Sequence, residues 1–194
     1  MTIGSNICKL FTKILNTRLN NFLIKRNIIS REQIGFCKGK RTRDHIFTLK
    51  TLIDKYCQQG CKKLHTCFVD FRKAFETVRH EELFYKLRTI GISDLFYNVI
   101  KNMYRNIELC VKANSNSLTD NFNSSVGVRQ GDNLSPNLFN LFVNDLPNIF
   151  DNECMPVSLN TSKINCLMYA DDVILLSETR DGLQNSLSML EKYC

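Results

Sequence analysis

A chain of 194 residues with a formal charge of +7 is long enough to bury a substantial core, and its basic balance suits a polyanionic partner or simple solubility. Nine cysteines, an odd number, argue against a closed disulfide framework and fit reduced intracellular thiols. No long apolar run follows Met1, so neither a signal peptide nor a membrane-spanning helix is expected, and the expected compartment is the cytoplasm or nucleus.

Taken in order, Ile7, Leu10, Phe11, Ile14, Leu15, Leu19, Phe22 and Leu23 keep helical spacing, which predicts a first helix packed by that face. Lys38, Lys40, Arg41 and Arg43 form the basic cluster best placed to meet a phosphate backbone, although a solvated loop would have the same composition. A second helix is expected over residues 45–56, with Ile46, Leu49, Leu52 and Ile53 on one face. Cys57, Cys61, His65 and Cys67 lack the paired Cys-x-x-Cys spacing of a zinc site. The strand-like run Cys67-Phe68-Val69-Asp70-Phe71 carries an acid at its end, beside Arg72 and Lys73. A helix over residues 79–89, closed by Gly91, precedes another capped by Ser93. Residues 107–113 and 121–128 read as strands around a turn at Asn114-Ser115-Asn116. Ser135 is expected to cap a helix begun by Pro136, with Leu138, Phe139, Phe142 and Val143 on its apolar face. The last helix spans residues 179–193, with Leu183, Leu187 and Leu190 inward. Helices outweigh strands, and a small antiparallel sheet carries the acids: an α+β chain.

The densest chemical signal is Tyr169-Ala170-Asp171-Asp172. Ile164, Cys166, Leu167 and Met168 precede it, and Val173, Ile174, Leu175 and Leu176 follow. Two short apolar runs pinched around adjacent acids predict a β-hairpin with charges at its bend. Two carboxylates held side by side call for a cation, and Mg²⁺ takes oxygen ligands while keeping positions open for phosphate. Alone, the dipeptide reads first as an exposed Asp-Asp turn, and Asp70 reads equally as a strand-end acid paired with Lys73. The third element, Gly127-Val128-Arg129-Gln130-Gly131-Asp132-Asn133-Leu134-Ser135-Pro136, has two glycines that permit close backbone approach to a ligand. By itself it is an ordinary loop entering a helix.

In this order and spacing the three elements resemble the palm of a reverse transcriptase of the non-LTR (LINE-type) retrotransposon family. The stretch Phe68 through Phe75, Glu32-Gln33-Ile34-Gly35-Phe36 and Thr42-Arg43-Asp44-His45-Ile46 share in the resemblance. It implies a polymerase palm over residues 67–194 and part of the fingers over residues 1–66. It further implies that Asp70, Asp171 and Asp172 are catalytic acids holding two Mg²⁺ ions, with Mn²⁺ a possible substitute. Phe71 would add its backbone carbonyl to a metal. Phe75 would be the ring that excludes a ribose 2′-hydroxyl, while Gln130 and Gly131 would line the incoming nucleotide, with Lys73 and Arg129 as nearby cations. The implied partners are an RNA template, a DNA primer and deoxynucleoside triphosphates, with no membrane; oligomeric state is left open.

The sequence departs from the family pattern at several places. Cys37 stands where an Arg is usual, Gly39-Lys40-Arg41-Thr42 replaces Gly-Arg-Ser-Thr, Glu76 replaces an Asp, and Asn133 replaces a Pro. The resemblance also implies that further fingers residues, the primer-grip hairpin and the thumb lie outside this chain. An inactive remnant that only binds nucleic acid, and a protein-binding domain built on the palm fold, are the alternative readings.

Overall fold

The computed structural model describes residues 5–59, 63–105, 108–114, 117–150 and 152–194. Helices α1 (Asn6–Arg26) and α2 (Thr42–Ile53), the latter running into a π-helical turn at Asp54–Gln59, precede strand β1 (His65–Asp70). Helices α3 (His80–Thr89) and α4 (Asp94–Arg105) follow, then the short strands β2 (Glu108–Leu109), β3 (Lys112–Asn114), β4 (Ser117–Leu118) and β5 (Phe122–Asn123). Helix α5 (Ser135–Phe142), strands β6 (Val157–Leu159), β7 (Ser162–Ile164), β8 (Cys166–Tyr169) and β9 (Asp172–Ser177), and helix α6 (Arg180–Tyr193) complete the chain. This is the α+β mixture expected from the sequence. Two compact units share the chain: Met1–Thr17 with Lys73–Phe142, and Arg18–Arg72 with Val143–Cys194.

In the second unit the antiparallel sheet runs β1-β9-β8. Central β9 buries Val173, Leu175, Leu176 and Ser177, which explains why its sequence is an unbroken apolar run instead of an alternation. Outer β1 alternates, with Phe68 and Asp70 exposed and Cys67 and Val69 half-buried. Leu52 and Tyr56 pack against Leu167, Leu176 and Val157 in one cluster. The Tyr56 hydroxyl donates to Glu178 at 2.6 Å and accepts the Ser158 amide at 2.8 Å, so its polar end is satisfied beside that core.

Helix α6 corrects the sequence expectation. Its buried face is Gly182, Ser186 and Leu190, while Leu183 and Leu187 are only half-buried. A Cβ at position 182 would lie 2.5 Å from Ser177 Oγ and 2.6 Å from the Cys154 carbonyl oxygen. Small residues let this helix seat directly on the backbone; apolar spacing alone pointed one turn-face away. The first helix differs similarly. Thr12, Leu15, Leu19 and Leu23 are buried, but Ile7, Leu10, Phe11 and Ile14 are exposed.

The first unit packs α3, α4 and α5 around Leu83, Leu87, Ile100, Leu138 and Phe139. The two long strands expected over residues 107–113 and 121–128 are instead four short ones, paired β2 with β5 and β3 with β4, with a register shift between Lys112 and Asn114. Ser124 Oγ donates to the Val126 carbonyl at 2.7 Å, a local bond that takes this segment out of the ladder. Residues 107, 115 and 116 of that expectation lie outside the described residues. So does Cys61 of the cysteine group; the eight described cysteines are free thiols.

Candidate active site

The hairpin β8–β9 forms as its sequence predicts, with Tyr169 opposite Asp172 and a two-residue turn, Ala170–Asp171, between them. Ala170 has φ +55, a left-handed conformation that costs an L-residue about 1–2 kcal/mol. Something must hold the turn there. Gln33 does: its side-chain amide donates to the Ala170 carbonyl at 3.1 Å and its Oε1 accepts the Ala170 amide at 2.9 Å and the Gly35 amide at 2.8 Å. Gln33 has no solvent exposure.

The segment around Gln33 is itself tied to the sheet. The Met168 amide donates to the Glu32 carbonyl at 2.8 Å, the Ile34 amide donates to the Met168 carbonyl at 3.0 Å, and Gln33 and Met168 form a parallel bridge. His45 Nε2 lies 2.9 Å from the Glu32 carbonyl and 3.1 Å from that of Met168. A Cβ on Gly35 would stand 2.2 Å from the Ala170 nitrogen, so only glycine fits. Gln33, Gly35 and His45 therefore position the acidic turn. Nothing in the sequence assigns these residues that role, because a buried amide has no periodic signature.

The register of β1 against β9 sets Asp70 directly opposite Asp172. Directly opposed like charges destabilise an antiparallel pair. Asp171 follows Ala170 in the turn and is half-buried, whereas Asp70 and Asp172 are exposed. Among the described residues no side-chain cation or hydrogen-bond donor pairs with any of the three carboxylates. Nor do three or more His, Cys, Asp or Glu side chains among them form a ready-made metal cage. Asp70 and Asp172 also border an open cleft of about 550 Å³ walled by Ile46, Phe68 and Ile174. Phe71 follows Asp70 and is half-buried; Lys38, Lys40 and Arg41 are exposed on the loop that enters α2, and Arg43 is exposed in its first turn.

The remaining expected site residues lie in the first unit. Phe75 stacks on Phe139, with ring centroids 4.6 Å apart and planes at 16°. Its carbonyl accepts the Val128 amide at 2.7 Å, and the Val78 carbonyl accepts the Gly127 amide at 2.7 Å, so the glycine loop is stitched to the segment carrying Phe75. Gly127 has φ +90, and a Cβ there would meet Glu76 backbone at 3.0 Å. Gln130 Nε2 donates to Glu76 Oε1 at 2.6 Å. Arg129 is turned inward, donating to the Met103 carbonyl at 3.2 Å and towards Cys8 Sγ at 3.8 Å. Lys73 is exposed at φ +55, and Gly131 has φ +85. Ser135 corrects the capping expectation: its hydroxyl donates to the Arg129 carbonyl at 2.6 Å, closing the loop, and Ser135 is already the first residue of α5.

Residues 1–194 match the family described as "Reverse transcriptase (RNA-dependent DNA polymerase)". The Retrovirus-related Pol polyprotein from type-1 retrotransposable element R2 of Nasonia vitripennis is 30% identical, over 98% of this chain and 18% of that protein. The probable RNA-directed DNA polymerase from transposon BS of Drosophila melanogaster is 28% identical, over 100% of this chain and 21% of that protein. The chain thus spans about a fifth of the length of these curated relatives. Among solved structures, Candida tropicalis telomerase truncated from its C-terminal domain superposes with a TM-score of 0.62 at 15% identity, covering 93% of this chain and 36% of that one. Candida albicans telomerase in complex with a TWJ fragment of telomeric RNA gives 0.64 at 11% identity, covering 93% and 32%. At these identities the likeness is one of fold.

Proposed function

Because the chain belongs to the reverse transcriptase family, in its non-LTR retrotransposon branch, we infer that it is the segment that performs RNA-directed DNA synthesis, joining deoxynucleotides to a primer 3′-hydroxyl and releasing pyrophosphate. The observation that carries this reading is the opposition of Asp70 and Asp172 across β1 and β9, with Asp171 in the adjoining clamped turn. Three carboxylates at one end of one sheet form an anionic site whose mutual repulsion a divalent cation relieves.

In this reading Asp70, Asp171 and Asp172 are the metal ligands, with the Phe71 carbonyl as a further oxygen. Mg²⁺ is the expected ion, and Mn²⁺ a substitute. Bound there, the cations would promote attack by the 3′-hydroxyl and stabilise charge on the leaving phosphate. The protein's own task is positioning, which phosphoryl transfer chiefly requires. Gln33 fixes the turn so that Asp171 and Asp172 leave it in set directions. Phe75, braced by Phe139, would meet the sugar of the incoming nucleotide and select the deoxy form. Gln130 and Gly131 would line that nucleotide, and Lys73 with Arg129 would add positive charge near it. Exposed Lys38, Lys40, Arg41 and Arg43 would contact template backbone. Residues 67–194 serve as palm and residues 1–66 as part of the fingers. Base pairing supplies sequence, so most protein contacts fall on sugar and phosphate.

The test is primer extension on an RNA template with deoxynucleotides and Mg²⁺, comparing the chain with Asp171→Asn. Extension that disappears in the variant supports the reading. Template binding without extension in either protein would instead indicate a nucleic-acid-binding remnant.

A further inference from the structure

A second cleft, of about 510 Å³, lies wholly within the first unit. None of its lining residues has a part in the polymerisation scheme above. Helix α3 contributes Glu81, Tyr85 and Arg88, spaced so that they share one helical face. Helix α4 contributes Tyr97, Lys101 and Arg105 at intervals of four, again one face. The loop after β5 supplies small polar groups at Ser124 and Ser125.

The charge arrangement is unbalanced. Arg88, Lys101 and Arg105 face a single lining carboxylate, Glu81, and among the described residues none of the three cations makes an ion pair. Arg88 lies 4.5 Å and Lys101 5.5 Å from the centroid of the same Tyr97 ring. One aromatic ring thus lies within cation–π reach of two cations that line the same cleft, an attraction that partly offsets their repulsion. Tyr85, one turn before Arg88, is 73% exposed, a ring offered to solvent. Converging cations track phosphates, and an exposed ring beside them takes a base by stacking; together they are the two parts of a single-strand-binding groove.

We propose that this cleft binds single-stranded RNA, with phosphates on Arg88, Lys101 and Arg105 and a base stacked on Tyr85. It is a contact additional to the polymerising site and does not depend on the acids holding a metal. Its occupancy would retain a strand through cycles in which the acidic site is vacated.

The experiment measures binding of dye-labelled single-stranded RNA to the full chain by fluorescence anisotropy, across a salt series with EDTA present so that chemistry is silent. Arg88→Gln/Lys101→Gln/Arg105→Gln is expected to weaken binding at least tenfold and flatten the log–log salt slope by about 2, at roughly 0.7 per lost phosphate contact on a single strand. Tyr85→Ala should weaken binding about fivefold or more with an unchanged slope, and Tyr85→Phe should restore it. Circular dichroism verifies that each variant is folded. Triple-variant binding within twofold of the parent, at an unchanged slope, overturns the proposal. So does failure of the parent to bind RNA at low salt, or loss of poly-glutamate binding alone, which would assign the cleft to an acidic protein. Extension assays judge the polymerase reading separately, because the acids are untouched in all these variants.

Discussion

Replacing Gln33 by Met tests the clamp on the acidic turn directly. The substitution keeps the volume and burial of the side chain but withdraws the acceptor of the Ala170 and Gly35 amides and the donor to the Ala170 carbonyl. A buried polar group that loses its partner costs about 1–3 kcal/mol, so three such losses with partial relaxation amount to about 3–6 kcal/mol. Domains of this size have about 5–15 kcal/mol in total, so the change consumes a large share of the margin. Urea unfolding followed by far-UV circular dichroism is the suitable assay, since the chain contains no Trp to report by fluorescence. A second readout is local: the Ala170 amide should exchange its hydrogen faster in the variant, even in conditions where the molecule remains folded. Gly35→Ala should be at least as damaging, because its Cβ would have to displace the Ala170 backbone from 2.2 Å. If Gln33→Met unfolds within about 1 kcal/mol of the parent, and Ala170 exchange is unchanged, the clamp is not what holds the turn.

Asp171→Asn should retain template RNA within about threefold of the parent, or bind it slightly more tightly, because a negative charge near phosphate is removed; filter binding checks this, and large loss would assign the residue to template contact. Phe75→Ala should admit ribonucleotides and cost about 3–5 kcal/mol of stability from the lost stack on Phe139, read by paired extension with each nucleotide type and by urea unfolding. Burial holds the Tyr104 phenol at about 12, above its ordinary 10.0, so the folded state favours the neutral form. That contribution is intact below pH about 10 and is lost as pH rises towards about 12, amounting to about 2–3 kcal/mol. Tyr104→Phe should flatten the alkaline fall in unfolding free energy over that interval, and an unchanged profile would count against the assignment.

Periodic and compositional signals carried the sequence reading a long way. The β8–β9 hairpin was predictable because two apolar runs flank a polar pair, and the Asp70 strand because an acid closes a short apolar run. The glycine loop was recognisable from its two glycines, though not the Ser135 bond to Arg129 that closes it. What escaped were contacts that depend on size and distance in three dimensions. Gly182 is buried where a Cβ would collide with Ser177 and Cys154, and a pattern of leucines cannot announce that. The exposed Ile7, Leu10 and Ile14 show the converse, since apolar spacing predicts a face without saying whether anything in this chain covers it. The strand expected up to residue 128 stops at Asn123, and Ser124 bonds locally just beyond it, a competition that β-propensity does not weigh. Arg129 and Gln130 are engaged with Met103 and Glu76, partners that only the folded loop reveals.

The pairing of Gln33 with Ala170 joins residues 137 positions apart in the chain. Contacts of such span form late, since a long intervening segment must be ordered before they are rewarded. During synthesis the strand bearing Asp70 emerges well before the acidic turn, while Gln33 waits for a partner not yet made. The clamped geometry of the acidic turn is therefore expected among the last features to be secured, and a partly synthesised chain would carry Asp70 without the turn it faces. The clamp on the hairpin is thus complete only once the chain has been made past Asp172 and has folded back onto Gln33.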